Sequence, residues 1–212
     1  MEYIKDPKTI ETKSMAIIEE RLRHFPFDAL QKPVIKRVVH TTGDSSFAGI
    51  TLFSQGAVEA GVAAMLGRAS VFCDVEMVRS GINRAAVSEL GIELTTFIHD
   101  ADVAAEAKRL GTTRAAAAMA RAVDLYPQGG VFVIGNAPTA LFVLLEAVQA
   151  GRVQPALVVG TPVGFVGAAE SKEWLETFDF PWITVRGEKG GSTVAAAIVN
   201  ALLRLALEQK GV

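Results

Sequence analysis

The sequence predicts an α/β fold: three layers, α/β/α, with a mostly parallel sheet of about five strands held between helices. Three observations predict it. Short runs rich in β-branched and aromatic residues recur along the chain. Segments with helical spacing separate them. Most of the runs are continuously apolar, which suits strands covered on both faces. Strand alternating with helix implies parallel pairing through right-handed crossovers.

Two helical stretches open the chain, at residues 7–24 and 28–39. The first strand run is 49–53, and helical spacing follows at 54–66. Runs at 69–75 and 93–98 come next. Residues 100–125 are alanine-rich, and Gly111 can break them into two helices. The run 130–135 leads to a helix at 137–150, where Pro138 suits a first turn that requires no amide hydrogen. The run 156–160 precedes a helix at 168–177, and 182–186 precedes the last helix, 192–209. That helix sets Val194, Ile198, Leu202, Leu205 and Leu207 on or near one face.

Composition bounds the function. The chain has 212 residues, 50% hydrophobic and 21% charged, which is a globular balance. No internal repeat, charge block or Gly/Ser linker divides it, so residues 1–212 are expected to form a single domain. Lys and Arg number 21 against 23 Asp and Glu, a net charge of -2 that argues against nucleic-acid binding. The lone cysteine, Cys73, excludes an internal disulfide and suits a reducing compartment. Residues 1–13 are polar, and Glu146, Asn200 and Arg204 interrupt the apolar stretches short of the roughly 20 residues a membrane span needs. A cytoplasmic protein with no membrane partner is expected.

Three glycine-bearing loops each follow a strand. They are 135–141, with Asn136; 160–172, with Thr161 and Gly164; and 186–193, with Lys189, Gly190 and Gly191. In a parallel sheet all three gather at the carboxyl edge, where open α/β sheets bind ligands. Helix N-termini there offer free amides to anions. Neither a P-loop nor a dinucleotide fingerprint is present. Glycines also make ordinary turns, but three such loops together favour a binding edge for a broad, rather apolar ligand with acidic margins.

Of the three histidines, His24 sits among charged residues at a helix end and His99 closes the third strand run. His40 lies where a helix gives way to a loop. Two roles are open to it: a cation at a helix C-terminus, or a proton donor, since histidine titrates near neutrality. The three are not spaced as metal ligands. Arg114 reads as a surface charge or a carboxylate ligand, and Ser14 as a helix-surface serine. No nucleophile elbow is present, so hydrolase chemistry has no support.

Four segments carry a resemblance: KRVVHTTGD (36–44), GNAPTALFVLLE (135–146), GTPVGFVGAAESKE (160–173) and GEKGGSTVAAAIVNALL (187–203). With them the whole chain resembles the precorrin-8X methylmutase family of cobalamin biosynthesis. The segments around Ser14 and His40 look closer to the cobalt-precorrin-8 methylmutases of the anaerobic route. The resemblance implies a 1,5-sigmatropic shift of a methyl group from C11 to C12 of the macrocycle. It implies no external cofactor, any cobalt belonging to the tetrapyrrole substrate. His40 matches the family histidine thought to protonate the ring C nitrogen, and Ser14 and Arg114 match positions near that ring. The resemblance also implies a homodimer with sites near the interface, and a corrinoid product that can be handed to the next enzyme. A non-catalytic corrinoid carrier is the alternative.

Overall fold

The computed structural model describes residues 3–211. Three helices come first: α1 (Pro7–Leu22), α2 (Gln31–Thr42) and the single turn α3 (Phe47–Ile50). They lead to strand β1 (Thr51–Phe53) and then α4 (Ala57–Leu66). After β2 (Val71–Cys73) come α5 (Glu76–Gly81) and α6 (Arg84–Leu90). After β3 (Leu94–Thr95) come α7 (Ala101–Leu110) and α8 (Arg114–Leu125). The remaining order is β4 (Val131–Ile134), α9 (Pro138–Gln149), β5 (Leu157–Gly160), α10 (Ala168–Leu175), β6 (Trp182–Val185) and α11 (Ser192–Lys210). Among the described residues no helix is long and apolar enough to cross a membrane.

The sheet runs β1-β6-β5-β4-β2-β3. Five strands are parallel, and β1 is a sixth, antiparallel to β6 at the edge, with Thr51 opposite Val185 and Phe53 opposite Ile183. Its direction follows from where the chain enters. The Lys189 ammonium, just past β6, bonds Asp44 at 2.9 Å, so α2 delivers the chain to the carboxyl end of β6. From there β1 can only run back.

Alternate strand residues feed two cores. Cys73, Val133, Val159 and Ile183 pack against α1, α2, α4, α5, α6 and α11. Phe72, Phe132, Ile134 and Val158 face α7, α8 and α9. The chain leaving β2 therefore enters one layer, and the chain leaving β4 enters the other. At that point the winding reverses, and the two loops part.

Several boundaries differ from expectation, two of them for clear local reasons. Helix α2 continues past residue 39 to Thr42, because Thr42 Oγ1 donates back to Val38 O at 2.8 Å and Gly43 closes the helix at φ 65°. His40 thus sits inside the last turn. Helix α4 starts at Ala57 instead of residue 54, because Ser54 extends the strand ladder through its amide to Trp182 O. Helices α3, α5 and α6, of 4, 6 and 7 residues, are too short to show a period in the sequence.

Candidate functional site at the carboxyl edge

The glycine loops following β4, β5 and β6 leave adjacent strands at the carboxyl edge, and two of them interlock. Gly191 donates to Thr161 O at 2.8 Å, and Gly164 donates to Glu188 O at 3.1 Å. Gly190 has a φ of 155°, and a Cβ there would run into the Thr161 carbonyl oxygen. Only glycine lets the two backbones approach this closely. Gly164 and Gly191 also adopt positive φ.

Lys172 reaches beneath these loops from α10. It has no exposed surface, and its Nζ donates to Lys189 O at 2.7 Å. Burial pulls its pKa down to about 8. Thr161 is equally buried, and its hydroxyl has no partner among the described residues.

The Lys189 side chain does not project freely. Its Nζ donates to Asp44 Oδ2 at 2.9 Å and to Ser46 Oγ at 3.0 Å, and lies 5.4 Å from the Phe47 ring centre. Hydrogen bonds from Lys189 and Ser46 hold the Asp44 carboxyl down at about 2. This pair ties the third glycine loop to the segment just beyond His40.

His40 is exposed on the last turn of α2. It opens onto a cleft of about 500 Å³ between α2, α11 and the turn joining α5 to α6, lined also by Arg37, Asn83, Thr193, Asn200 and Arg204. Asn200 fixes one wall. Its Oδ1 accepts the Asn83 amide at 2.8 Å, and its Nδ2 donates to Gly81 O at 2.9 Å. Among the described residues no group of three or more His, Cys, Asp or Glu could hold a metal ion. The other two histidines lie elsewhere: His24 accepts from Arg23 Nε at 2.9 Å, and His99 is exposed beyond β3.

The remaining expected site residues divide between layers. Ser14 is half-buried on α1, in the layer of His40, and donates to Ile10 O at 2.8 Å. It does not line the His40 cleft. Arg114 is exposed at the start of α8, in the opposite layer. Thr113 beside it meets Thr139 at 2.7 Å, which sets Arg114 close to the N-terminus of α9 and so to the carboxyl edge. Asn136 is exposed on the first glycine loop. The three loops therefore come together, with His40 and Arg114 on opposite rims.

Asp74, Lys172 and Asn200 are the site-building residues that sequence patterns do not single out. Asp74 is fully buried at the end of β2 and accepts the amides of Gly135, Asn136 and Ala137. Burial pushes its carboxyl up, and the amides of Ala137, Gly135 and Asn136 pull against it. For Asp74 and Asn200 the available signal was a charged or amide residue inside an otherwise apolar run, which in a buried strand or helix must be satisfied locally.

The precorrin-8X methylmutase family matches residues 9–205. The chain is 45% identical over 200 residues to the cobalt-precorrin-8 methylmutase of Priestia megaterium, covering 94% of this chain and 88% of that protein. It is also 45% identical over 206 residues to the precorrin-8X methylmutase of Pseudomonas aeruginosa, covering 95% and 97%. The crystal structure of precorrin-8X methylmutase from Thermus thermophilus superposes with a TM-score of 0.87 at 38% identity, covering 95% of this chain and 98% of that one. With sequence and fold agreeing along nearly the whole length, the chain belongs to the precorrin-8X methylmutase family.

Proposed function

We propose that this protein is an isomerase of cobalamin biosynthesis that moves a methyl group from C11 to C12 of precorrin-8 or cobalt-precorrin-8. The product is hydrogenobyrinic acid or its cobalt-containing counterpart, cobyrinic acid. The family match along residues 9–205 carries this reading. The chemistry asks little of the protein. A pericyclic shift needs no nucleophile, only one placed acid and a site that stabilises the altered charge. In this reading His40 is the proton donor, and its exposure over an open cleft supports the role. The reaction needs no cofactor of the protein's own, because any cobalt arrives within the substrate.

The carboxyl edge suits a wide apolar ring with carboxylate arms. Glycine backbone can approach the ring face, while exposed amides and Arg114 meet the rim. Lys189 is assigned here to holding the loop, since Asp44 and Ser46 already engage its ammonium. Residues 1–212 act as one catalytic unit in the cytoplasm. Two copies form a homodimer with sites near their interface, and the corrinoid product passes to the next enzyme of the sequence.

His40→Ala tests the reading. General acid catalysis contributes about 10²–10⁴ in rate, so turnover should fall by that factor while tetrapyrrole still binds. The proton comes from the imidazolium, so the wild-type rate should fall with rising pH, and the variant's residual rate should not. A carrier would show no turnover in the wild type with either substrate. An active variant with an unchanged pH profile would overturn the proton-donor role.

A further inference from the structure

Asp74 stands where the winding of the sheet reverses. The chain leaving β2 turns into the α5–α6 layer, and the chain leaving β4 turns to α9 on the other side. The crevice between such diverging loops is where α/β sheets bind ligands. Asp74 extends the β2 ladder through its own amide to Val133 O at 3.0 Å, which fixes its backbone. Its Oδ1 accepts Gly135 N–H at 3.1 Å, and its Oδ2 accepts Asn136 N–H at 2.9 Å and Ala137 N–H at 2.8 Å. Three consecutive amides of the β4 loop thus converge on one buried carboxylate. Ala137 is the N-cap of α9 and caps nothing with its own side chain. Asp74 supplies the missing acceptors and a negative charge at that helix N-terminus.

The loop is also fixed from the side. A Cβ on Gly135 would lie 2.7 Å from Val78 Cγ2 and 2.8 Å from Ser192 Cα. With its backbone held on two sides, the loop leaves one polar group facing out. The Asn136 side chain is exposed and bonds no described residue. Its amide carries two N–H donors and one acceptor, which suits a carboxylate arm.

We propose that Asp74 is a positioning residue: by holding the amides of residues 135–137 it presents the Asn136 side chain to a carboxylate arm of the tetrapyrrole at the crevice between β2 and β4. This rests on the methylmutase reading.

A double-mutant cycle tests it, with steady-state kinetics on precorrin-8 and cobalt-precorrin-8 and a thermal melt for each variant. Asn136→Ala should raise KM about tenfold to a hundredfold, the range for losing a hydrogen bond to a charged group, with kcat little changed. Asp74→Asn turns a donor toward an amide N–H, which displaces the loop. It should raise KM to a similar degree, and the double variant should be no worse than the weaker-binding single. Should Asp74→Asn not fold, Asp74→Ser removes the charge, keeps one acceptor and takes its place in the cycle. A purely structural Asp74 would lower the melting temperature with KM effects that multiply, and that result overturns the proposal. So does an unchanged KM in Asn136→Ala. A wild type without turnover instead overturns the methylmutase reading, and this proposal with it.

Discussion

Lys172 shows how one buried side chain can be read through pH. Its ammonium has no exposed surface and one protein acceptor, the Lys189 carbonyl. Burial lowers its folded pKa from 10.5 to about 8. Between those values the unfolded chain binds a proton that the folded chain does not, so stability rises with pH across this window. Below pH 8 the folded state carries the full penalty of the buried charge. Lys172→Met keeps the length and removes the charge. The wild type should gain roughly 2 kcal/mol on the variant between pH 7 and pH 10, since each pKa unit is worth about 1.4 kcal/mol. Urea denaturation of both proteins across that range would measure it, and parallel pH profiles would show that Lys172 is solvated in solution. In the sequence this lysine stands at the end of the second glycine loop, in a run of helix-forming polar residues. Its burial comes from the third glycine loop folding over it, which no local pattern encodes.

At the scale of elements, the interlocked loops after β5 and β6 depend on glycine for a steric reason. Gly190→Ala combines a φ of 155° with a collision against the Thr161 carbonyl, while Pro162 O lies 3.0 Å from the same Cβ. Gly187→Ala is the matched control, with a φ of 71° and open space around its Cβ. Left-handed backbone alone costs about 1–2 kcal/mol for a residue with a Cβ, which in a chain of this size lowers the melting temperature by roughly 2–8 °C. Gly190→Ala should lower it further and weaken tetrapyrrole binding, while Gly187→Ala should leave binding intact. Equal losses in the two melts would remove the collision from the account. The gathering of these loops was legible in the sequence, because each of the last three strand runs is short and leads into a glycine-bearing loop. The direction of β1 was not, since it depends on where α2 and α3 leave the chain. Helices α5 and α6 were missed because a helix of 6 or 7 residues completes too few turns to show a stripe. The roles of Asp74 and Asn200 leave no local pattern, because their partners lie 61 and 117 residues away along the chain.

At the scale of the whole molecule, the sheet separates the two residues most expected to act together. His40 belongs to the layer of α2 and α11, and Arg114 to the layer of α8 and α9. A homodimer offers a way to join them, because two-fold symmetry can set one chain's His40 rim against its partner's Arg114 rim, twice over. The molecule has apolar surface for such a contact. Phe165 and Val166, at the tip of the second glycine loop, are 87% and 88% exposed. Ile10 and Ile17, seven residues apart, are exposed on α1. Sedimentation at micromolar concentration should therefore find a dimer, and a mixing experiment should find where its sites lie. His40→Ala and Arg114→Ala should each be impaired alone. If each site draws His40 from one chain and Arg114 from the other, a mixed dimer has one doubly damaged site and one intact site. Random exchange of equal amounts makes half the dimers mixed, so mixing should restore about a quarter of wild-type activity. If both residues serve a site within one chain, every site in the mixture keeps one lesion and mixing restores nothing. Restored activity thus places the site across the interface, and its absence, with exchange verified by differently tagged chains, places it within the single chain.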